Sequence, residues 1–207
     1  MRRIAMWVLI LVAGLALGVA AQERPAEQQS AEAEALAAYM QLAQPGPEHQ
    51  RLADLVGDWK QSVRMWIEPG AEPATMEGRV TNTMILGGRF LESRGITGEG
   101  PMQTEGVNVI GYDRRYGRYT IILMDSWGTY YIEAAGSYND SSRAIVMSGE
   151  AMGPALENRE VYDMILRFVD KDTYVFEIVF KDKEHTKGAE SFKMVEITCA
   201  RISGDQE

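Results

Sequence analysis

From residue 58 onward the chain alternates: apolar side chains recur at every second position, segment after segment, and the breaks between segments are short and rich in turn-forming residues. A period of two sends successive side chains to opposite faces of a strand, so each segment is built to bury one face and wet the other. The strands are predicted near 58–67, 75–86, 89–97, 103–112, 117–125, 129–137, 143–150, 158–169, 173–181 and 189–202. The connectors EPGAEPA, GG, GEGPM, DRRYG, NDSS and KDKEHTKG carry the turn chemistry of antiparallel neighbours and are too short for parallel crossovers. About ten such strands with no long returning connection favour an all-β, up-and-down antiparallel barrel over a Greek-key sandwich, since closure removes exposed edges. A barrel of that strand number encloses more space than one layer of side chains fills, which predicts an internal cavity.

The N-terminal end has a different character. Met1, Arg2 and Arg3 precede an apolar run from Ile4 to Val19 and then Ala20 and Ala21, the order of an export signal, with cleavage expected after Ala21. A spanning helix needs about 20 apolar residues, so the run is short for one, and retention as an N-terminal anchor is the alternative. No cysteine lies directly after the run to carry an acyl chain. The expectation is a periplasmic or secreted protein without stable membrane association after cleavage. Residues 22–35 are polar and alanine-rich with no apolar face, and read as a disordered leader. Residues 36–57 read as a helical segment: Leu36, Tyr39, Met40 and Ala43 have helical spacing, QPGP stops that helix, and Pro47 starts a short second one that Gly57 ends. The barrel should occupy 58–202, leaving 203–207 as a tail.

Charge and cysteine content narrow the partners. The formal charge of −9 becomes about −11 once Arg2 and Arg3 leave, a field that repels phosphate backbones and anionic lipid, so nucleic acid is not expected as a partner. The lone Cys199 cannot form a disulfide within the chain, so the core must hold itself together. Its position on the inward phase of the last strand suits a small buried hydrophobe. His49 and His185 have no second ligand at metal spacing. Neither a metal nor a cofactor is expected.

Gly57-Asp58-Trp59, on the first strand after a short helix, resembles the calycin superfamily of lipocalins and fatty-acid-binding proteins. That resemblance implies a tryptophan plugging one barrel end, with an arginine of the last strand packed across it; here Trp59 and Arg201 would be the pair. The ordered set PGPEHQRLADLVGDW, MWIEPGAEP, ILGGRFLES, GYDRRYGRY, DSWGT and FKMVEIT, over residues 45–202, is similar to a bacterial family known as domain of unknown function 1579, generally regarded as lipocalin-like. The resemblance implies the fold and supplies no catalytic residues. Leu123 and Gly153-Pro154 depart from a tryptophan and an Asp-Pro common among relatives.

Charged residues embedded in apolar strands are the candidates for an interior site: Asp125 after TIILM, Arg159 before EVYDMIL, Glu177 inside YVFEIVF and Glu196 inside KMVEIT. A buried charge must be paired, and pairs within a barrel would fix a polar ligand group. Every second strand residue points outward, and that is the competing reading of each. If Trp59 points inward, Gln61, Val63, Met65 and Ile67 share its side, and Trp66 faces out as a seat for the first helix. Met65, with methionines on other strands, suits adaptable contact with an apolar ligand or ordinary core filling. The leading expectation is a non-catalytic carrier of a small apolar molecule, with cavity contacts at Met65, Asp125, Arg159 and Glu177. The alternatives are an interaction module with a packed barrel and, third, a hydrolase-type enzyme using interior carboxylates such as Asp125 with Glu177. No nucleophile motif accompanies those carboxylates.

Overall fold

The computed structural model describes residues 26–153 and 158–202, with side chains from Gln28 onward. The expected export segment and the 203–207 tail lie outside those residues. Ten strands follow in chain order: β1 (Gly57–Met65), β2 (Ala74–Ile85), β3 (Phe90–Thr97), β4 (Thr104–Asp113), β5 (Arg118–Asp125), β6 (Tyr131–Asn139), β7 (Ala144–Met152), β8 (Arg159–Phe168), β9 (Thr173–Phe180) and β10 (Phe192–Arg201). Each is antiparallel to its sequence neighbours, and β10 returns to β1 to close the barrel. In that last seam Trp59 stands opposite Arg201, Gln61 opposite Cys199 and Val63 opposite Ile197. The alternation read from the sequence is therefore the inside and outside of a closed wall.

The helical parts differ from expectation in three places. Helix α1 (Ala26–Leu42) starts within the stretch read as a disordered leader. Alanine, glutamate and glutamine are strong helix formers, so intrinsic propensity produces a helix where no apolar face demands one. The compact unit up to Gln41 is distinct from the barrel unit that starts at Leu42. Helix α2 (Pro47–Ala53) ends four residues before Gly57. The Leu55 carbonyl accepts from Trp59 Nε1 at 2.9 Å and from Asn82 Nδ2 at 3.0 Å, and these side-chain bonds take the acceptor that a continued helix would use. The KDKEHTKG connector contains one helical turn, α3 (Lys183–Thr186), with the Asp182 carboxylate accepting from His185 N.

Glycine 57 instead opens β1, at φ +131°. A Cβ there would stand 2.8 Å from Arg201 Nη1, so both backbone conformation and close approach require glycine. Strand β1 ends at Met65, and Ile67, expected to point inward, is 83 % exposed in the following loop. Within the barrel, the Trp66 ring lies under the guanidinium of Arg64 and the ammonium of Lys193.

The inward positions form one apolar core that includes Trp59, Leu91, Ile121, Met147, Met164 and Phe176, joined from below by Leu52 and Leu55 of the α2 segment. Fully burying a side chain of this size stabilises the fold by about 1.5–3 kcal/mol, and closure gives every strand two hydrogen-bonded neighbours.

Candidate functional site

The two ends of the barrel are built differently. At one end α2 lies across the opening. Gly46 N donates to His49 Nδ1 at 3.0 Å, which fixes the start of the helix, and burial holds the His49 imidazole below its usual pKa. Arg51 donates to the Tyr119 hydroxyl at 2.7 Å and sits 3.8 Å over the Tyr138 ring. Trp59 is 1 % exposed, edge-on to Tyr174, with the Arg201 guanidinium 4.0 Å above its ring. Arg201 also donates to the carbonyls of Val56 at 2.7 Å and Asp54 at 2.9 Å. Cation, ring and backbone together make a sealed floor.

Along β2 and β5 burial fades toward the other end, while Met84, Tyr112, Tyr138 and Phe168 are half-buried at the floor end. Along β5 the inward residues run from buried Tyr119 and Ile121 to half-buried Leu123 and exposed Asp125; along β2 they run from buried Asn82 and Val80 to half-buried Met76. Strands β7 to β9 keep this end better filled, with Tyr162, Phe180 and, stacked on Phe180, His185. The rim loops expose Ile67, Met102, Trp127 and Tyr130.

Between floor and rim lies a cavity of about 40 Å³. Its apolar lining includes Leu55, Val80, Ile110 and Phe176; its polar lining is Gln61, Asn82, Ser93, Asn108, Tyr174 and Cys199. Asn82, Ser93 and Asn108 are register partners on three successive strands, so they form one lateral polar row. Asn82 Nδ2 donates to Leu55 O and, at 3.2 Å, to the Tyr174 hydroxyl. Its Oδ1 is buried and has no hydrogen-bond partner in the protein. Gln61 accepts from the Thr97 hydroxyl at 3.1 Å and points its amide nitrogen at the Cys199 sulfur, 4.0 Å away. Burial pushes the Cys199 thiol up to about 11 and raises the Tyr174 phenol further still, so both are neutral at pH 7. Every polar group lining the cavity is therefore uncharged.

The charged residues expected to line the interior do not. Asp125 is on the inward phase but sits exposed at the rim, where its carboxylate accepts from Trp127 N at 2.9 Å and closes a turn. Arg159 faces outward, exposed, and pairs with Glu150 at 3.0 Å. Glu177 is only 8 % exposed yet also faces outward, one residue out of phase with Phe176. Its burial comes from Arg167 at 2.9 Å and Lys193 at 3.0 Å lying over it. Burial pushes its carboxyl up, but those cations outweigh burial and hold it below the usual range. Glu196 stands directly opposite Glu177 on the same outer face, with Lys193 between them and Arg64 at 3.3 Å. Met65 does point inward, half-buried at the rim end of β1, above the cavity rather than along it.

The residues that do line the cavity were present in the sequence as neutral amides and hydroxyls on the inward phase. Asn82 shares its phase with Val80 and Met84, Ser93 with Leu91, and Asn108 with Ile110. A neutral amide or hydroxyl is less conspicuous in an apolar strand than a charge, and the phase of Trp59 reaches only Gln61 of the polar lining. Among the described residues, no group of three or more His, Cys, Asp or Glu side chains is placed to hold a metal ion, and no helix is long and apolar enough to cross a membrane.

A closed antiparallel barrel floored by a helix and a tryptophan–arginine seal defines the class: a lipocalin-like barrel protein. The family model described as "Protein of unknown function (DUF1579)" matches residues 44–201, and the chain belongs to that family. The match begins just before α2 and ends at Arg201, so it takes in the whole floor. Among solved structures, the crystal structure of Rv2717c from M. tuberculosis is similar at a TM-score of 0.54 and 14 % identity, over 77 % of this chain and 100 % of that one. At that identity the likeness is one of fold. No curated protein matches the chain.

Proposed function

We propose that the protein is an exported, non-catalytic binder that takes a small, mainly apolar molecule into its barrel from the rim end. The observation that carries this reading is the floor built on Trp59 and Arg201, a cavity above it, and inward side chains of β2 and β5 that become half-exposed toward the opposite end. Half-buried Met65, Met76, Leu123 and Ile132 offer the apolar body of such a ligand an adaptable wall. The carboxylate-pair enzyme reading loses its geometry, because Asp125 stands at the rim and Glu177 on the outer face. Export is supported by the apolar run between Arg3 and Ala20.

Purified protein should enhance the fluorescence of the neutral apolar dye N-phenyl-1-naphthylamine saturably, and solvent extraction with native mass spectrometry should recover a co-purifying small molecule that displaces it. A folded protein that takes up no dye and carries no molecule overturns the binder reading in favour of the packed module. N-terminal sequencing of the exported form should begin at Gln22.

A further inference from the structure

The geometry points to the cavity above Trp59 as a head-group pocket for a neutral hydrogen-bond donor, of the primary amide or ureido kind, and not for a carboxylate or a cation. This rests on the binder reading and adds the chemistry of the ligand's buried end.

Asn82 carries the argument. It is 2 % exposed, and both hydrogens of its amide are spent on the Leu55 carbonyl and the Tyr174 hydroxyl. That spending fixes which way the amide faces, since a flip would set its oxygen against the Leu55 oxygen. The oxygen is thus a bare acceptor beside a cavity, and a buried acceptor without a donor costs about 1–3 kcal/mol. The missing partner must be an N–H or O–H from outside the chain.

The remaining lining sets the other requirements. Ser93 and Asn108 continue the row from Asn82, and neither makes a side-chain hydrogen bond to the protein among the described residues. The hydroxyl and the amide both donate and accept, so a group with a donor on one side and a carbonyl on the other is answered at each edge. No charged side chain lines the cavity, so a carboxylate or ammonium would lose its hydration with no counter-ion to replace it. About 40 Å³ holds roughly three water-sized groups, the size of one amide rather than of a whole ligand. The ligand's apolar part would then extend toward Met65 and the rim.

The test uses three small probes of similar size on the isotope-labelled protein: acetamide (donor and acceptor), acetone (acceptor only) and acetate (charged). Acetamide should shift the side-chain amide resonances of Asn82 and Asn108 saturably, with an affinity at least tenfold above acetone or acetate. The variant Asn82→Leu should abolish that response. Because Asn82 also ties down the Leu55 carbonyl, Asn108→Leu provides a variant that leaves the floor bonds in place, and it should weaken acetamide at least tenfold with the thermal midpoint unchanged. Equal or tighter binding of acetone or acetate overturns the assignment. So does a pocket that holds an ordered water only and ignores acetamide. If acetamide fails while N-phenyl-1-naphthylamine still binds inside, the head-group chemistry is wrong and the binder reading stands; if neither binds, both fall.

Discussion

The floor and the rim of this barrel are made from the same ten strands, yet they serve opposite ends. At the floor, Trp59, Arg201, Asn82 and the Leu55 carbonyl are bound to one another across the segment after α2, β1, β2 and β10, and a shift of Trp59 or Asn82 would strip a donor from the Leu55 carbonyl. At the rim, inward side chains end in half-exposed methionine, leucine and isoleucine, and the carboxylate of Asp125 is wet and occupied with its own turn. The difference separates stability from recognition: rigidity is concentrated where the chain closes, and adaptability where a ligand would enter.

That contrast predicts a graded mutational response. The largest effect should come from Trp59→Ala, at about 3–5 kcal/mol in denaturant unfolding, against about 1 kcal/mol for Met65→Ala at the other end of the same strand. Equal losses would erase the distinction between the ends. Arg201→Ala should cost about 2 kcal/mol, since it uncovers the Trp59 face and strips donors from the Val56 and Asp54 carbonyls. Lysine at 201 should recover only part of this, because an ammonium cannot reproduce the planar fork over the ring.

Cys199 tests whether the cavity wall stays closed in the folded state. Its thiol is raised from 9.0 to about 11 by burial. A raised folded-state value means the stabilising contribution is complete below pH 9 and is lost as pH climbs toward about 11, with Tyr174 acting in the same direction. Denaturation midpoints should therefore fall across that alkaline window, and a thiol reagent at pH 8 should label the folded protein only at its opening rate. The smallest effects belong to Asp125→Ala and Arg159→Ala, each expected within about 0.5 kcal/mol, because both side chains are exposed. A loss of ligand uptake from either would return the charged residues to the site.

Much of this fold was legible in the chain. Period-two alternation with short turns placed all ten strands within a few residues, and Gly57-Asp58-Trp59 with Arg201 marked the two strands that meet. The candidate site was legible only in phase. Asp125, Arg159 and Glu177 stood out because charge in an apolar strand is conspicuous, but a charge can be accommodated on the outer wall when a long cation folds over it, as Arg167 and Lys193 do over Glu177. Asn82, Ser93 and Asn108 come from three successive strands, and only strand register brings them into one row.

The sequence by itself determined the alternation, the turns and therefore the antiparallel wall, because those depend on a period and on local backbone preferences that each segment carries alone. It also determined that the interior could hold no disulfide within the chain. Tertiary structure alone decided which side chains the cavity gathers, that Asp125, Arg159 and Glu177 stay out of it, and that an amide oxygen on β2 is left without a partner. Those facts are sums over residues distant in the chain, and hydrogen-bond satisfaction, unlike periodicity, has no value until every neighbour is in place.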